Sequence, residues 1–269
     1  MNKFYLAFVG ALLFSGAQAQ EKTTSDTVYM SGKKIIIITE DVSTENTKEK
    51  AVSIFSPNRN RVWQGFEIGF TGVSYSQSFS TDVPPGLEYF DPIEGNSINW
   101  SINPFELDVR IVDEYVKFST GLGYIAKNFS LENNYFLYKD ADGVTMGDQW
   151  ASPRLERNRF RTGYITVPAM VFFNTNKDPM KAFRIGFGVV GGVKIFEAYR
   201  IKHNDEGHRT RVKYNGGYNA QTFMLDYRAL VGIGGFNLYA TYSSMSLFED
   251  NKGPQVYPFT FGISFINNY

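Results

Sequence analysis

Cysteine is absent from the 269 residues. Its absence excludes disulfides, thiolate metal sites, a cysteine nucleophile and a lipid anchor built on a cysteine behind an export signal. Histidine is nearly absent, with only His203 and His208, so chemistry that needs an imidazole base has two places to come from. No charge sign dominates, since 27 basic residues face 27 acidic ones, and no basic field points to nucleic acid. Long apolar runs are missing as well. The longest purely aliphatic stretch, Ile35 to Ile38, is far shorter than the roughly 20 residues a spanning helix needs.

Aromatic residues, at 16%, and 25 glycines are plentiful. The last thirteen residues are the most informative stretch. Tyr257, Phe259, Phe261, Ile263, Phe265 and Tyr269 share one parity, and Pro258, Thr260, Gly262, Ser264 and Asn268 share the other. A period of two over this length is a β-strand with an apolar face and a small or polar face. An alternating terminal strand that ends on an aromatic is what the outer-membrane assembly machinery of Gram-negative bacteria selects. Those six residues are read as that assembly signal, with the machinery as a partner.

The opposite end agrees. Lys3, the apolar run Phe4 to Phe14 and an Ala-x-Ala at Ala17 to Ala19 spell a secretory signal over residues 1–19, with cleavage before Gln20. Losing Lys3 leaves a net charge of about −1. Residues 20–61 read as a periplasmic segment. Thr27 to Met30 and Ile35 to Thr39 flank a Ser31-Gly32-Lys33-Lys34 turn, and Glu40 to Lys50 form a linker. A lone hairpin is marginal in water, so this segment calls for a partner protein of the envelope or for the rim of the domain behind it.

From Val62 the alternation is sustained and lays out eight strands at about 62–74, 98–112, 115–128, 157–173, 183–200, 219–233, 235–244 and 256–268. Gaps two, four and six are short, whereas those near 75–97, 129–156, 201–218 and 245–255 are long. Short turns alternating with long loops is the asymmetry of outer-membrane barrels. The predicted fold is therefore all-β: an eight-stranded antiparallel transmembrane β-barrel over 62–269 behind a short periplasmic hairpin and linker. The fourth strand is the irregular one, because Tyr164 to Phe173 is apolar on both faces and contains Pro168.

Alternation alone does not say which face is outside. A lipocalin-like barrel would carry its apolar face inward around a ligand. Glycines gathered on the charged face, where a narrow interior has little room, and a strongly aromatic apolar face favour the inverted arrangement, with lipid as the outer partner. The charged face then places Glu67, Glu106, Asp108, Arg110, Lys117, Arg184, Lys194, Asp226 and Arg228 in the lumen. In so narrow a tube they must pair, because an unpaired buried charge costs several kcal/mol. A barrel of about eight strands is also filled by its own side chains. The expectation is a plugged scaffold.

The chain resembles the outer-membrane β-barrel domain proteins of the Bacteroidota, a group that includes PorT-like and OmpA-like small barrels. The resemblance covers roughly 62–269. It rests on Tyr164-Ile165-Thr166-Val167-Pro168, on Asn237-Leu238-Tyr239-Ala240-Thr241-Tyr242, and on Leu247-Phe248, Gly253-Pro254 and Tyr257-Pro258-Phe259. The leader with Gly32-Lys33-Lys34 and Ile35 to Ile38 is similar to the periplasmic leaders of such barrels. The resemblance implies the fold and no shared catalytic set, cofactor or metal.

Four loop features remain. His203 and His208, with Asp205 or Glu206 and near Ser243 or Ser244, are the candidates for a surface enzyme that modifies lipid or cuts peptides; the plain alternative is two solvated loop histidines. Asp140-Ala141-Asp142-Gly143 opens like a calcium loop, but the twelfth position is Ala151 rather than glutamate, so a polar turn is expected. Arg154, Arg157, Arg159 and Arg161 gather above the fourth strand, where they either meet lipopolysaccharide phosphates or form a solvated rim. Leu87, Tyr89, Phe90, Tyr135, Phe136 and Tyr138 either anchor a partner or pack into a cap over the loops. Together these point to a structural or accessory component of the cell envelope, binding a partner through 20–61 or the outer loops. A surface enzyme using His203 or His208 is the second reading and a narrow pore the third.

Overall fold

A period-two sequence with glycine, proline and polar residues at its breaks yields strands and turns, and no α-helix forms among the described residues. The structure is a computed structural model that describes residues 61–266 apart from 94, 133–134, 151–154, 179, 206–207 and 216, and leaves aside the side chains of 204–205, 208–209 and 215. These residues belong to the unit Pro57–Tyr269. The export signal, the hairpin and linker up to residue 60, Arg154 and Tyr269 lie outside the described residues.

The strands are β1 Gly65–Ser74, β2 Ile98–Val112, β3 Val116–Ser130, β4 Tyr135–Lys139, β5 Thr145–Gln149, β6 Leu155–Asn174, β7 Phe183–Asp205, β8 His208–Asn215, β9 Phe223–Ile233, β10 Phe236–Ser243 and β11 Tyr257–Ile266. Nine form one antiparallel sheet in the order β6-β3-β2-β1-β11-β10-β9-β7-β8, and β6 also pairs with β7, so the pairing returns to its start. β8 lies outside that ring, pairing with the upper part of β7 from Ala198 to Asp205. β4 and β5 make a separate hairpin. The turn between β9 and β10 is two residues long and needs Gly234, whose φ of 60° a Cβ would strain.

The sheet is inverted relative to a water-soluble one. Its enclosed side carries Glu67, Asn99, Ser101, Lys117, Lys127, Thr166, Arg184, Asp226, Arg228, Asn237 and Thr260, all buried. Its outer side carries the apolar set, including Phe66, Ile68 and Phe70 on β1 and Phe261 and Phe265 on β11. Arg184 is 1% exposed and Phe187, three residues on, is 54% exposed. Glycine makes room inside. A Cβ on Gly69 would stand 2.8 Å from the Tyr239 hydroxyl, and one on Gly262 would stand 2.7 Å from the same ring, so Tyr239 fills the space these two leave.

β6 is apolar on both faces for a local reason. Its even residues Tyr164, Met170 and Phe172 point inward and are buried, while Ile165, Val167 and Phe173 are exposed. Pro168 is accommodated where the β3–β6 register skips from Thr120↔Ala169 to Gly123↔Thr166. Its carbonyl accepts the Thr120 hydroxyl at 2.8 Å. On β7 the step from Tyr164↔Lys194 to Gly163↔Phe196 leaves Ile195 as a bulge and reverses parity, so that beyond it the odd-numbered Glu197, Tyr199 and Ile201 are buried.

Candidate functional site

The enclosed face is a paired network. Arg228 on β9 reaches Glu67 on β1 with two hydrogen bonds, Nη2 to Oε1 at 2.5 Å and Nη1 to Oε2 at 3.1 Å. Ser101 donates to the same carboxylate at 2.7 Å. The guanidinium lies over two rings, with its carbon 4.3 Å from the Tyr239 centroid and 5.1 Å from that of Trp63. Higher in the ring, Lys127 on β3 donates to Asp226 on β9 at 2.8 Å, and Ser243 donates to the other oxygen of Asp226 at 2.6 Å. Between the two pairs, Thr71 and Thr260 share a hydrogen bond of 2.9 Å, Asn99 donates to Thr260 at 2.8 Å, and the Tyr239 hydroxyl donates to Asn99 at 3.2 Å.

The segment leading into β1 enters the interior instead of extending the strand. Val62 and Trp63 are buried, and the Glu106 carboxylate accepts the backbone N–H groups of Val62, Trp63 and Gln64 at 2.7, 2.9 and 2.6 Å. Val62 packs with Met170, Phe172, Leu230 and Tyr239, and Trp63 with Tyr164, Val190 and Met224. Asp108 lies beside Glu106, and Arg184 faces both while donating to Asn174 at 3.0 Å. The chain itself therefore stops the turn-side end of the ring, whereas the periodicity had placed Val62 at the start of a strand.

One of the nine expected lumen charges sits elsewhere. Arg110 is not in the interior: its guanidinium is 43% exposed and pairs with Glu114 at 2.7 Å. β1 covers β2 only from Ile98 to Asn103, so the end of β2 that carries Arg110 projects beyond β1 and its inward side is open. Lys194 stands at the β7 bulge, half-buried, where it donates to Glu197 at 2.9 Å. Lys117 is enclosed as expected but pairs with Glu114 at 2.6 Å. Glu114, Lys127 and Glu197 were not among the predicted residues. Lys127 shares the parity of Lys117 and Ser119, a signal that Ile125 interrupts; Glu197 is hidden by the bulge.

Above the ring the long loops form a cap. Phe90, in the short 3-10 turn Glu88–Phe90, has its ring 5.1 Å from Phe248 and 5.8 Å from Phe129 and Phe160. Tyr89, Leu131, Leu137, Leu155, Tyr199, Tyr218 and Val256 belong to the same cluster, with Leu87 and Tyr135 packed against it. The β4–β5 hairpin is fastened by Leu137 N–H donating to the Tyr199 hydroxyl at 3.1 Å and by Thr145 donating to the Tyr218 carbonyl at 2.6 Å. Burial, the Tyr214 ring and Glu197 push the Tyr218 phenol up to about 12. Asp140 closes the hairpin turn, its carboxylate accepting the N–H groups of Asp142 and Val144 at 3.0 and 2.7 Å.

Of the two histidines, His203 alone has a described side chain. His203 lies on β7 with its ring 5.6 Å from Trp150. The His208 side chain, Asp205 and Glu206 lie outside the description. Ser243 is buried and donates its hydroxyl hydrogen bond to Asp226, and Ser244 donates to the Leu225 carbonyl. The cavity beside Lys127, Asp226 and Ser243 measures about 10 Å³, room for roughly one water. No group of three or more acidic, histidine or cysteine residues able to hold a metal occurs among the described residues. Of the terminal set, Phe261 and Phe265 are exposed and Tyr257, Phe259 and Ile263 half-exposed along β11.

Of the expected arginines, Arg157, Arg159 and Arg161 line the outer side of upper β6. In register beside them stand Lys202, Arg200 and Ala198 of β7. Comparison with models of protein families, with curated proteins and with solved structures gives no match to this chain.

Proposed function

We propose that this chain is an outer-membrane β-barrel of eight strands with a plugged interior, serving as a structural or accessory component of the cell envelope without chemistry of its own. The observation that carries the reading is the inversion of the sheet: ion pairs such as Glu67–Arg228 and Lys127–Asp226 are enclosed while Phe66, Phe70, Phe187, Val193, Phe261 and Phe265 face outward. In water that outer face would be a very large apolar patch; in lipid it is the expected surface. The ring of pairings supports closure, since a spanning sheet can leave no open edge in hydrocarbon. β1 and β11, at 10 residues, and β9, at 11, match the roughly 9–11 residues of a tilted spanning strand. Aromatics lie toward both ends of the outer face, with Trp100 and Tyr124 5.3 Å apart on the loop side and Phe236 and Phe265 5.9 Å apart on the turn side, as in interfacial girdles.

In this reading residues 1–19 export the chain, residues 20–61 face the periplasm and offer a docking segment for an envelope protein, and the long loops face outward. The Bacteroidota small-barrel resemblance belongs to the same proposal. Plugging is supported by the buried pairs, the inturned Val62 and Trp63 and the aromatic cap. The test is fractionation of cells expressing the full chain, with gel migration before and after heating and single-channel recording. Outer-membrane recovery, a folded band that shifts on heating and no conductance steps support the proposal. Recovery in the soluble fraction contradicts the barrel, and stable conductance steps contradict the plug.

A further inference from the structure

The basic residues of upper β6 do not stand alone. β6, β7 and β8 lie side by side here, and their registers align Arg157, Lys202 and Arg211 in one row and Arg159, Arg200 and Lys213 in the next, with Arg161 below them beside Asn128. Members of a row are about 4.8 Å apart and the rows about 6.7 Å apart. Against seven cations, one ion pair is formed among the described residues, between Lys202 and Glu156. The Arg200 Nε is buried and has no hydrogen-bond partner among the described residues. A surface that holds cations against one another in this way gains from an anion.

The position of the patch narrows the anion. On β6 the outer face passes from Val167 and Ile165, both exposed and apolar, to Arg161, Arg159 and Arg157; on β7 it passes from Val193 and Ile195 to Arg200 and Lys202. Trp100 and Tyr124 lie at the boundary, and Tyr124 is close enough to Arg161 to feel its charge. A ligand at this level has apolar tails beside Ile165 and Val193 and its charge one or two residues higher. Guanidinium forks match phosphate oxygens in geometry and charge.

We infer that the outer face of β6, β7 and β8 binds the phosphate groups of a lipid head group, through Arg157, Arg159, Arg161, Arg200, Lys202, Arg211 and Lys213. The inference rests on the membrane reading above. It extends that reading from a general lipid contact to one site with a ligand class.

The experiment measures the unfolding temperature of the full mature chain in neutral detergent micelles with added diphosphoryl lipid A, the same lipid stripped of phosphate, or inorganic pyrophosphate. Only diphosphoryl lipid A is expected to raise the unfolding temperature, in a saturable way. In Arg159→Gln/Arg200→Gln, half-saturation should need about a hundredfold more lipid, while Lys177→Gln, at the opposite end, leaves binding unchanged. An equal response to the stripped lipid overturns the phosphate contact. An equal response to pyrophosphate overturns the lipid as its source, and unchanged binding by the double variant overturns the site. A parent that is folded by its heat-shifted gel migration but gives no response sinks this inference alone; a parent that stays soluble without detergent sinks the membrane reading beneath it.

Discussion

Arg228 and Glu67 are 161 residues apart in sequence and sit on strands that are not neighbours in the sheet, yet they share two hydrogen bonds with side chains only 4% and 3% exposed. A pair that crosses the interior in this way ties β9 to β1 and neutralises two charges that could not stay there singly. Breaking a buried pair by removing one partner costs about 3–5 kcal/mol. Arg228→Met should lower the unfolding free energy by that amount, measured by urea titration in vesicles, and Glu67→Gln added to it should recover part of the loss. Equal and additive losses would mean that the two side chains are not coupled.

Position within the ring separates two cations of similar appearance in sequence. Lys127→Ala removes the enclosed partner of Asp226 and should also cost about 3–5 kcal/mol. Arg110→Ala removes a half-exposed pair with Glu114, worth about 0–1 kcal/mol. A matched pair of thermal melts checks the contrast.

Phe187 faces outward in the middle stretch of β7. Phe187→Arg should destabilise the folded protein in vesicles by about 2–4 kcal/mol, the cost of a cation near the bilayer midplane. On a water-facing surface the same change would stay within roughly 0.5 kcal/mol. Refolding yield and urea midpoint distinguish the two.

Tyr218 in the cap, at about 12, titrates above the ordinary phenol value of 10.0. Its neutral form is favoured by folding, so its contribution is fully present below pH 10.0 and is lost as the pH rises through about 12. Phenolate absorbance should therefore rise late, and the cap should loosen in that window, while the strands of the ring keep their far-ultraviolet signal. Tyr218→Phe lowers the amplitude of the late phase without abolishing it, because burial also raises the Tyr89 phenol of the cap. A normal phenol titration in the folded protein would show the cap to be open to water.

Much of this was legible in the sequence because two faces of one sheet impose a strict parity. The ends of β2 fall at Ile98 and Val112, where the alternation placed them. β8 was missed because it lies beyond the apolar belt, and beside Arg209, Arg211 and Lys213 it has only Val212 and Tyr214 as an apolar face, too short an alternation to announce a strand. β4 and β5 were missed for a similar reason: their partners are cap residues rather than a regular sheet face. The bulge at Ile195 hid Glu197 by reversing parity. The inward course of Val62 and Trp63 depends on Glu106, 44 residues from Val62, a contact that no local pattern encodes.

The central claim is that the odd-numbered face of β7 from Phe183 to Val193 meets lipid while the even-numbered face is enclosed. Because the chain has no cysteine, single cysteines such as Phe187→Cys and Val193→Cys can carry spin labels without background, and their collision rates with oxygen and with a water-soluble nickel complex can be read in vesicles. At Phe183, Ile185, Phe187 and Val193 the account predicts high oxygen and low nickel access. High nickel access at those positions would place the apolar face in water and contradict it.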